Sequence, residues 1–152
     1  MSQDIAFLST IEAASMLSNG DVSSIELTQA ALSQADRMEP HTTPLIHRLD
    51  ERALAQAAES DARRSQKITL GPLDGIPYTL KDIIDVAGVP TGAGSKLYEN
   101  NIPTASATSA ARLEESGAIL LAKARSHEFA WGGTTLPARN AWDPSRIPGG
   151  SS

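Results

Sequence analysis

The clearest chemical features of this sequence are a glycine-serine segment and a lysine that follows an apolar run. The segment is Pro148-Gly149-Gly150-Ser151-Ser152, and the lysine is Lys81 in Tyr78-Thr79-Leu80-Lys81-Asp82. A serine hydroxyl is a poor nucleophile until a neighbouring base takes its proton. A neutral lysine can be that base, and burial away from counter-charges favours the neutral form. The pattern therefore indicates a serine hydrolase that works without histidine.

Each of these features also has a simpler interpretation. On spacing alone, a surface lysine at a strand end is favoured for Lys81, because lysine is rarely fully buried. A Gly-Gly-Ser-Ser run also occurs in linkers. Lys123 follows a buried run and is a second candidate base, and Ser126-His127-Glu128 suggests a less favoured serine–histidine–acid arrangement. Trp131 fits a core position and a pocket wall equally well.

Composition limits the classes of protein that need to be considered. The chain has 152 residues, of which 40% are hydrophobic and 20% charged, as in an ordinary globular domain. Its net charge of −5 argues against a nucleic-acid surface, and the absence of cysteine excludes disulfides, zinc thiolates and a cysteine nucleophile. No signal peptide or apolar run of membrane-spanning length is visible, so we expect a cytoplasmic protein with no membrane contact.

Helix signals dominate residues 1–70. Ser9-Thr10-Ile11-Glu12 is a capping box, and Ser23-Ser24-Ile25-Glu26 repeats the signal. Pro40 is predicted to close the second helix, and Asp50 is predicted to cap the third. The predicted elements of this part are helices at 9–20, 23–38 and 50–64 and an extended link at 45–49.

Residues 71–152 have an α/β pattern. Ten of the eleven glycines lie here, which marks a change from helices to turns. A strand at 76–80, a helix at 104–116 and an apolar strand at 118–122 predict a crossover unit with parallel strands. Ser126 is predicted to cap a short helix that ends at Trp131. Charged residues in the final loop, Asp143 and Arg146, are predicted to form ion pairs rather than to catalyse.

Five motifs occur in one order, and together they resemble the amidase signature family. They are Gly71-Pro72-Leu73-Asp74-Gly75-Ile76-Pro77, Leu80-Lys81-Asp82, His127-Glu128-Phe129-Ala130, Asn140-Ala141-Trp142-Asp143-Pro144 and Pro148-Gly149-Gly150-Ser151-Ser152. The resemblance covers nearly the whole chain. It implies an α/β/α fold with a mixed sheet, present here incompletely, with the N-terminal helices packed on the start of the sheet. Residues 1–152 would be the N-terminal part of a single domain.

The resemblance also assigns roles to individual residues. Lys81 corresponds to the catalytic lysine of a Ser–cisSer–Lys triad, and Ser151 to the serine that follows a cis peptide bond. Gly149, Gly150 and Ser152 would form the loop around Ser151. A wall of the substrate pocket would contain Trp131, Gly132, Gly133 and Thr134. No metal and no cofactor are implied.

The implied reaction is hydrolysis of a linear amide through an acyl-enzyme. Lys81 would take a proton from Ser151, which would take one from the nucleophilic serine. In the family that serine lies in a second glycine-rich motif, which these 152 residues do not contain. We therefore expect a polypeptide of these residues alone to be inactive.

Three functional hypotheses follow from the sequence. The first, which is favoured, is a free-standing amidase that binds a small-molecule amide, either as a single chain or as a homodimer. The second is a glutamine-hydrolysing amidotransferase subunit, which would need partner subunits. The third is a non-catalytic truncated product or a helical interaction module.

Overall fold

The computed structural model describes residues 4–152, which divide into two compact units. Unit 1 contains the described residues up to Ala35 together with Leu49–Tyr78 and Arg112–Leu121. Unit 2 contains Asp36–Arg48, Thr79–Ala111 and Ala122–Ser152. The regular elements are α1 (Thr10–Asn19), α2 (Ser24–Thr42), β1 (Leu45–Arg48), α3 (Asp50–Ser65), β2 (Pro77–Lys81), α4 (Thr108–Glu115) and β3 (Ile119–Ala124), with single 3-10 turns at Ile5–Phe7, Lys96–Tyr98 and Glu128–Ala130.

The predicted capping box of α1 is confirmed. Ser9 Oγ accepts a hydrogen bond from the Glu12 N–H at 3.3 Å, and Glu12 Oε2 accepts one from the Ser9 N–H at 2.8 Å. These two bonds satisfy amide groups that have no partner inside the first helical turn. Gly20, with a φ of 77°, then ends the helix in the left-handed conformation that glycine adopts at little cost.

The predicted end of α2 is wrong, because the helix continues through Pro40 to Thr42. Proline removes one backbone donor, but the turn around it has other bonds. Thr42 Oγ1 donates to the Met38 carbonyl at 2.9 Å, and the Thr43 N–H donates to the Glu39 carbonyl at 3.1 Å. The chain leaves the helix at Thr43, whose φ is 45°.

Two other boundaries also differ from their predictions. Asp50 is the first residue of α3 rather than its cap, which is Leu49 and makes no side-chain capping bond. The carboxylate of Asp50 still lies in the first turn, where negative charge suits the helix dipole. Helix α4 begins at Thr108 because the residues before it are bonded elsewhere: the Ala107 N–H donates to the Asp85 carbonyl at 2.9 Å.

The three strands form a mixed sheet in the order β1-β3-β2, as predicted. Strand β1 is antiparallel to β3, with His47 opposite Lys123. Strands β2 and β3 are parallel, since their backbone bonds advance in the same direction along both strands. The Ile119 N–H donates to the Ile76 carbonyl at one end, and the Asp82 N–H donates to the Ala124 carbonyl at the other.

Within unit 1, the N-terminal helices pack on the start of the sheet, as predicted. Ile76, immediately before β2, is buried in one cluster with Ala13, Leu17, Val22 and Leu27. Burying such side chains stabilises the fold by about 1.5–3 kcal/mol each. No helix in residues 4–152 has both the length and the apolar character needed to cross a bilayer.

A buried carboxylate, Asp74, fixes the turn that precedes β2 in unit 1. Its Oδ1 accepts from Arg63 Nη2 at 2.6 Å, and its Oδ2 accepts from the Leu70 N–H at 3.1 Å. Burial raises the pKa of Asp74, but the bonds from Arg63 and Leu70 outweigh this and hold the pKa below its ordinary value. Gly117 is required beside it, because a Cβ there would lie 2.5 Å from Asp74 Oδ1.

We expect Asp74→Asn to lower the free energy of unfolding at neutral pH by about 3 kcal/mol, because it removes the charge that pairs with Arg63. Since the folded pKa of Asp74 is depressed, its contribution is complete above the unfolded pKa of about 3.9 and is lost as pH falls through the folded value. Urea unfolding of the intact protein at a series of pH values measures both effects. A variant with the same acid dependence as the wild type would contradict this assignment.

Candidate active site

Lys81 and Ser151, which are 70 residues apart in the sequence, are in contact in unit 2. Lys81 is the last residue of β2 and is half-buried. Its Nζ makes a hydrogen bond to the Ser151 Oγ. Within residues 4–152, no carboxylate forms an ion pair with Lys81. The lysine therefore meets a hydroxyl rather than a counter-charge, which is the arrangement that a lysine base requires.

Ser151 is held by backbone contacts on its own loop. The peptide bond between Gly150 and Ser151 is cis, and the Ser151 carbonyl accepts from the His127 N–H at 2.9 Å. The Gly149 carbonyl accepts from Thr135 Oγ1 at 3.2 Å. Ser152 is exposed. The loop therefore presents the Ser151 hydroxyl to Lys81 while its main chain is attached to the preceding segments.

The segment Trp131–Thr134 lies directly beside this loop. A Cβ on Gly150 would lie 2.2 Å from the Gly132 carbonyl oxygen, so the two backbones approach more closely than any other residue would permit. Gly132 in turn lies against the His127 ring. Trp131 is 86% exposed, so its interpretation as a core residue is wrong. Gly133 and Thr134 are also exposed.

The predicted helix from Ser126 to Trp131 is also wrong. Only a single 3-10 turn forms, at Glu128–Ala130, and it contains Phe129 with a φ of 48°. The serine–histidine–acid arrangement is not formed either. Ser126 Oγ has no hydrogen-bond partner in the described chain, and His127 Nδ1 lies 3.2 Å from the backbone oxygen of Glu128.

A second lysine, Lys123, is the fully buried one. Its Nζ lies 3.2 Å from Asp82 Oδ1 and donates to Thr91 Oγ1 at 3.0 Å. The carboxylate next to Lys81 is therefore paired with Lys123, as expected if Lys81 and Asp82 point to opposite sides of the chain. Sequence reasoning missed this pair, although a lysine inside an apolar run such as Ile119–Ala124 requires a buried partner.

His47 lies opposite Lys123 in the β1–β3 register and lines a cavity of about 220 Å³ in unit 2. Burial lowers the pKa of His47, Lys123 and Arg125 lower it further, and Asp82 acts in the opposite direction. The imidazole is therefore neutral at neutral pH. It makes no contact with Lys81 or Ser151 and has no part in their arrangement.

Comparisons with known proteins agree with this site. A family model described as Amidase matches residues 26–152. A relative from Chloroflexus aurantiacus, the A chain of glutamyl-tRNA(Gln) amidotransferase, is 41% identical over 154 residues, covering 98% of this chain and 32% of the relative. The peptide amidase of Stenotrophomonas maltophilia has a TM-score of 0.86 at 31% identity, covering 96% of this chain and 32% of that structure.

Another solved structure, of an amidase, has a TM-score of 0.86 at 36% identity and covers 95% of this chain. The chain spans about a third of the length of the relatives that it matches. Within that span, the family match extends over the glycine-rich turn, Lys81 and the loop that contains Ser151. The chain belongs to the amidase signature family.

Proposed function

We propose that the intact protein hydrolyses a linear amide, with Lys81 as the base and Ser151 as the residue that relays a proton. The contact between Lys81 Nζ and Ser151 Oγ carries this proposal. Membership of the amidase signature family supports it, since amide hydrolysis is the chemistry that the family name describes. The attacking serine would lie outside residues 1–152, which form the N-terminal part of one domain.

The proton path follows from the order of the groups. Neutral Lys81 accepts the Ser151 proton, Ser151 Oγ accepts the proton of the attacking serine, and that serine adds to the amide carbonyl carbon. The same groups return a proton to the leaving nitrogen, because an amine departs only when protonated. Water then attacks the acyl-enzyme by the same relay and releases the acid.

The segment Trp131–Thr134 is proposed as one wall of the substrate pocket. Its exposure supports this role, and so does the close approach of Gly132 to Gly150, next to Ser151. Trp131 offers a large apolar surface for a substrate group, which a solvated loop does not require. Gly133 leaves open space where a side chain would narrow the wall.

Ammonia release from propionamide, benzamide and glutamine by the purified intact protein tests the proposed function. We expect turnover of at least one primary amide without any added metal or cofactor. The matched reference is the same protein with Ser151→Ala, which removes only the relay hydroxyl. If wild type and Ser151→Ala release ammonia at the same rate, the relay assignment is wrong.

A role as the glutamine-hydrolysing component of an amidotransferase is the second candidate. The 41% identity to one chain of a glutamyl-tRNA(Gln) amidotransferase favours it. A component of that kind would co-purify with partner subunits and hydrolyse glutamine faster in their presence. A protein that purifies alone and prefers other amides to glutamine favours the free-standing amidase.

A polypeptide of residues 1–152 alone is expected to have no amidase activity, because the proposed nucleophile lies outside it. Lys81 and Ser151 can move a proton but form no acyl-enzyme in this scheme. Ammonia release from the same three amides, measured beside the intact protein, checks this expectation. Turnover by the 152-residue polypeptide would place the nucleophile inside it.

A further inference from the structure

A buried ion pair lies next to Lys81 and takes no part in the proposed proton path. Asp82 follows Lys81, and its Oδ1 lies 3.2 Å from the Nζ of Lys123; the two side chains are 1% and 0% exposed. Buried ion pairs are often no more stabilising than apolar residues of the same volume. Stability alone therefore does not account for this pair, and its contacts point to a role in geometry.

Asp82 attaches the loop that contains Gly92 and Ala93 to the end of β2. Its Oδ2 accepts from the Gly92 N–H at 3.1 Å, and its backbone oxygen accepts from the Ala93 N–H at 2.9 Å. Lys123 holds the other carboxylate oxygen and also donates to Thr91 Oγ1 at 3.0 Å. The carboxylate thus has one fixed orientation, with one oxygen on the ammonium group and the other on the loop.

The same loop supports the segment that holds Ser151. The Ala93 carbonyl accepts from the Phe129 N–H at 2.8 Å, and two residues earlier the His127 N–H donates to the Ser151 carbonyl at 2.9 Å. The two segments also approach closely, since a Cβ on Gly94 would lie 2.6 Å from the Ser126 carbonyl oxygen. A continuous set of backbone hydrogen bonds therefore connects Asp82 to Ser151.

We propose that Asp82 is a positioning residue that sets the distance between Lys81 and Ser151. Lys81 is its covalent neighbour, and Ser151 is held through the loop at Gly92 and Ala93 and the segment at His127–Phe129. Lys123 neutralises the carboxylate and fixes its rotamer, and it moves no proton. The proposal rests on the function proposed above, in which the Lys81–Ser151 contact is part of the reaction path.

The test uses two volume-matched double variants of the intact protein, both without the ion pair. Asp82→Ala with Lys123→Met removes the acceptor for the Gly92 N–H. Asp82→Asn with Lys123→Met keeps an oxygen acceptor at that place. We expect kcat for ammonia release from the best of the three amides to fall about 30-fold in the alanine variant, with KM within about threefold of wild type. The asparagine variant should recover most of the lost kcat.

Gly92→Ala provides a second test that removes no charge. A Cβ at Gly92 would lie 3.3 Å from Asp82 Oδ2, so the carboxylate or the loop must move by a few tenths of an ångström. We expect kcat to fall several-fold, again with little change in KM. This variant decides the question if the alanine double variant does not fold, as judged by circular dichroism and its thermal midpoint.

The outcomes separate this proposal from the proposed function. If Lys81→Ala turns over amides like the wild type, the proposed function is wrong, and the positioning role of Asp82 is wrong with it. If Lys81→Ala is inactive while the folded alanine double variant or Gly92→Ala keeps the wild-type kcat, only the positioning role is wrong. If both double variants lose kcat equally, Asp82 does not act through Gly92, and the proposal is overturned.

Discussion

Lys81→Ala is expected to lower kcat for amide hydrolysis by about 10³-fold or more while leaving the fold intact. The physical reason is that no other base contacts Ser151 Oγ within residues 4–152. The side chain is half-buried and makes no ion pair there, so its removal leaves no buried charge without a partner. Ammonia release measures the loss, and circular dichroism and thermal unfolding establish that the variant is folded.

Two further variants make the Lys81 test specific. Lys67→Ala removes an exposed lysine of unit 1 and should keep wild-type kcat. The double variant Lys81→Ala with Ser151→Ala should be scarcely slower than Lys81→Ala alone, because residues of one relay fail as a unit. Additive losses would show that Lys81 and Ser151 act independently, and near-normal activity of Lys81→Ala would remove lysine from the mechanism.

Local signals in the sequence were sufficient for much of the fold. The Ser9–Glu12 capping box and Gly20 define α1 correctly, because both act through bonds within one helical turn. The apolar run before Lys123 also predicts a strand correctly, although β3 extends to Ala124. The Asp143–Arg146 ion pair, 2.9 Å long and three residues apart, was likewise predictable from neighbours in the sequence.

Features that depend on distant parts of the chain were harder to predict. Pro40 was expected to end α2, but a proline costs only part of one turn when neighbouring side chains supply other bonds. The partner of Asp82 is Lys123, 41 positions later, and no spacing rule connects them. The contact between Lys81 and Ser151 was expected only from the resemblance to a family, because tertiary structure brings these residues together.

The second large effect is expected for Gly150→Ala. The added Cβ would lie 2.2 Å from the Gly132 carbonyl oxygen and 2.9 Å from the Gly133 Cα, so either the loop or the neighbouring segment must move. A displacement of about 1 Å at a catalytic group can cost about 10²-fold in rate. We therefore expect kcat for ammonia release to fall about 100-fold, because the hydroxyl of the adjacent Ser151 is shifted from Lys81.

Gly133→Ala is the matched control for that substitution. A Cβ at Gly133 meets no atom within 4 Å, and its backbone φ is outside the left-handed region, so the Lys81–Ser151 contact should persist. Any effect of Gly133→Ala should therefore appear in KM, through the proposed pocket wall, while kcat stays near the wild-type value. If Gly150→Ala also keeps the wild-type kcat, close packing of the loop against Gly132 is not needed to place Ser151. Equal losses of kcat in both variants would instead indicate that this region tolerates no side chain, whatever the space around it.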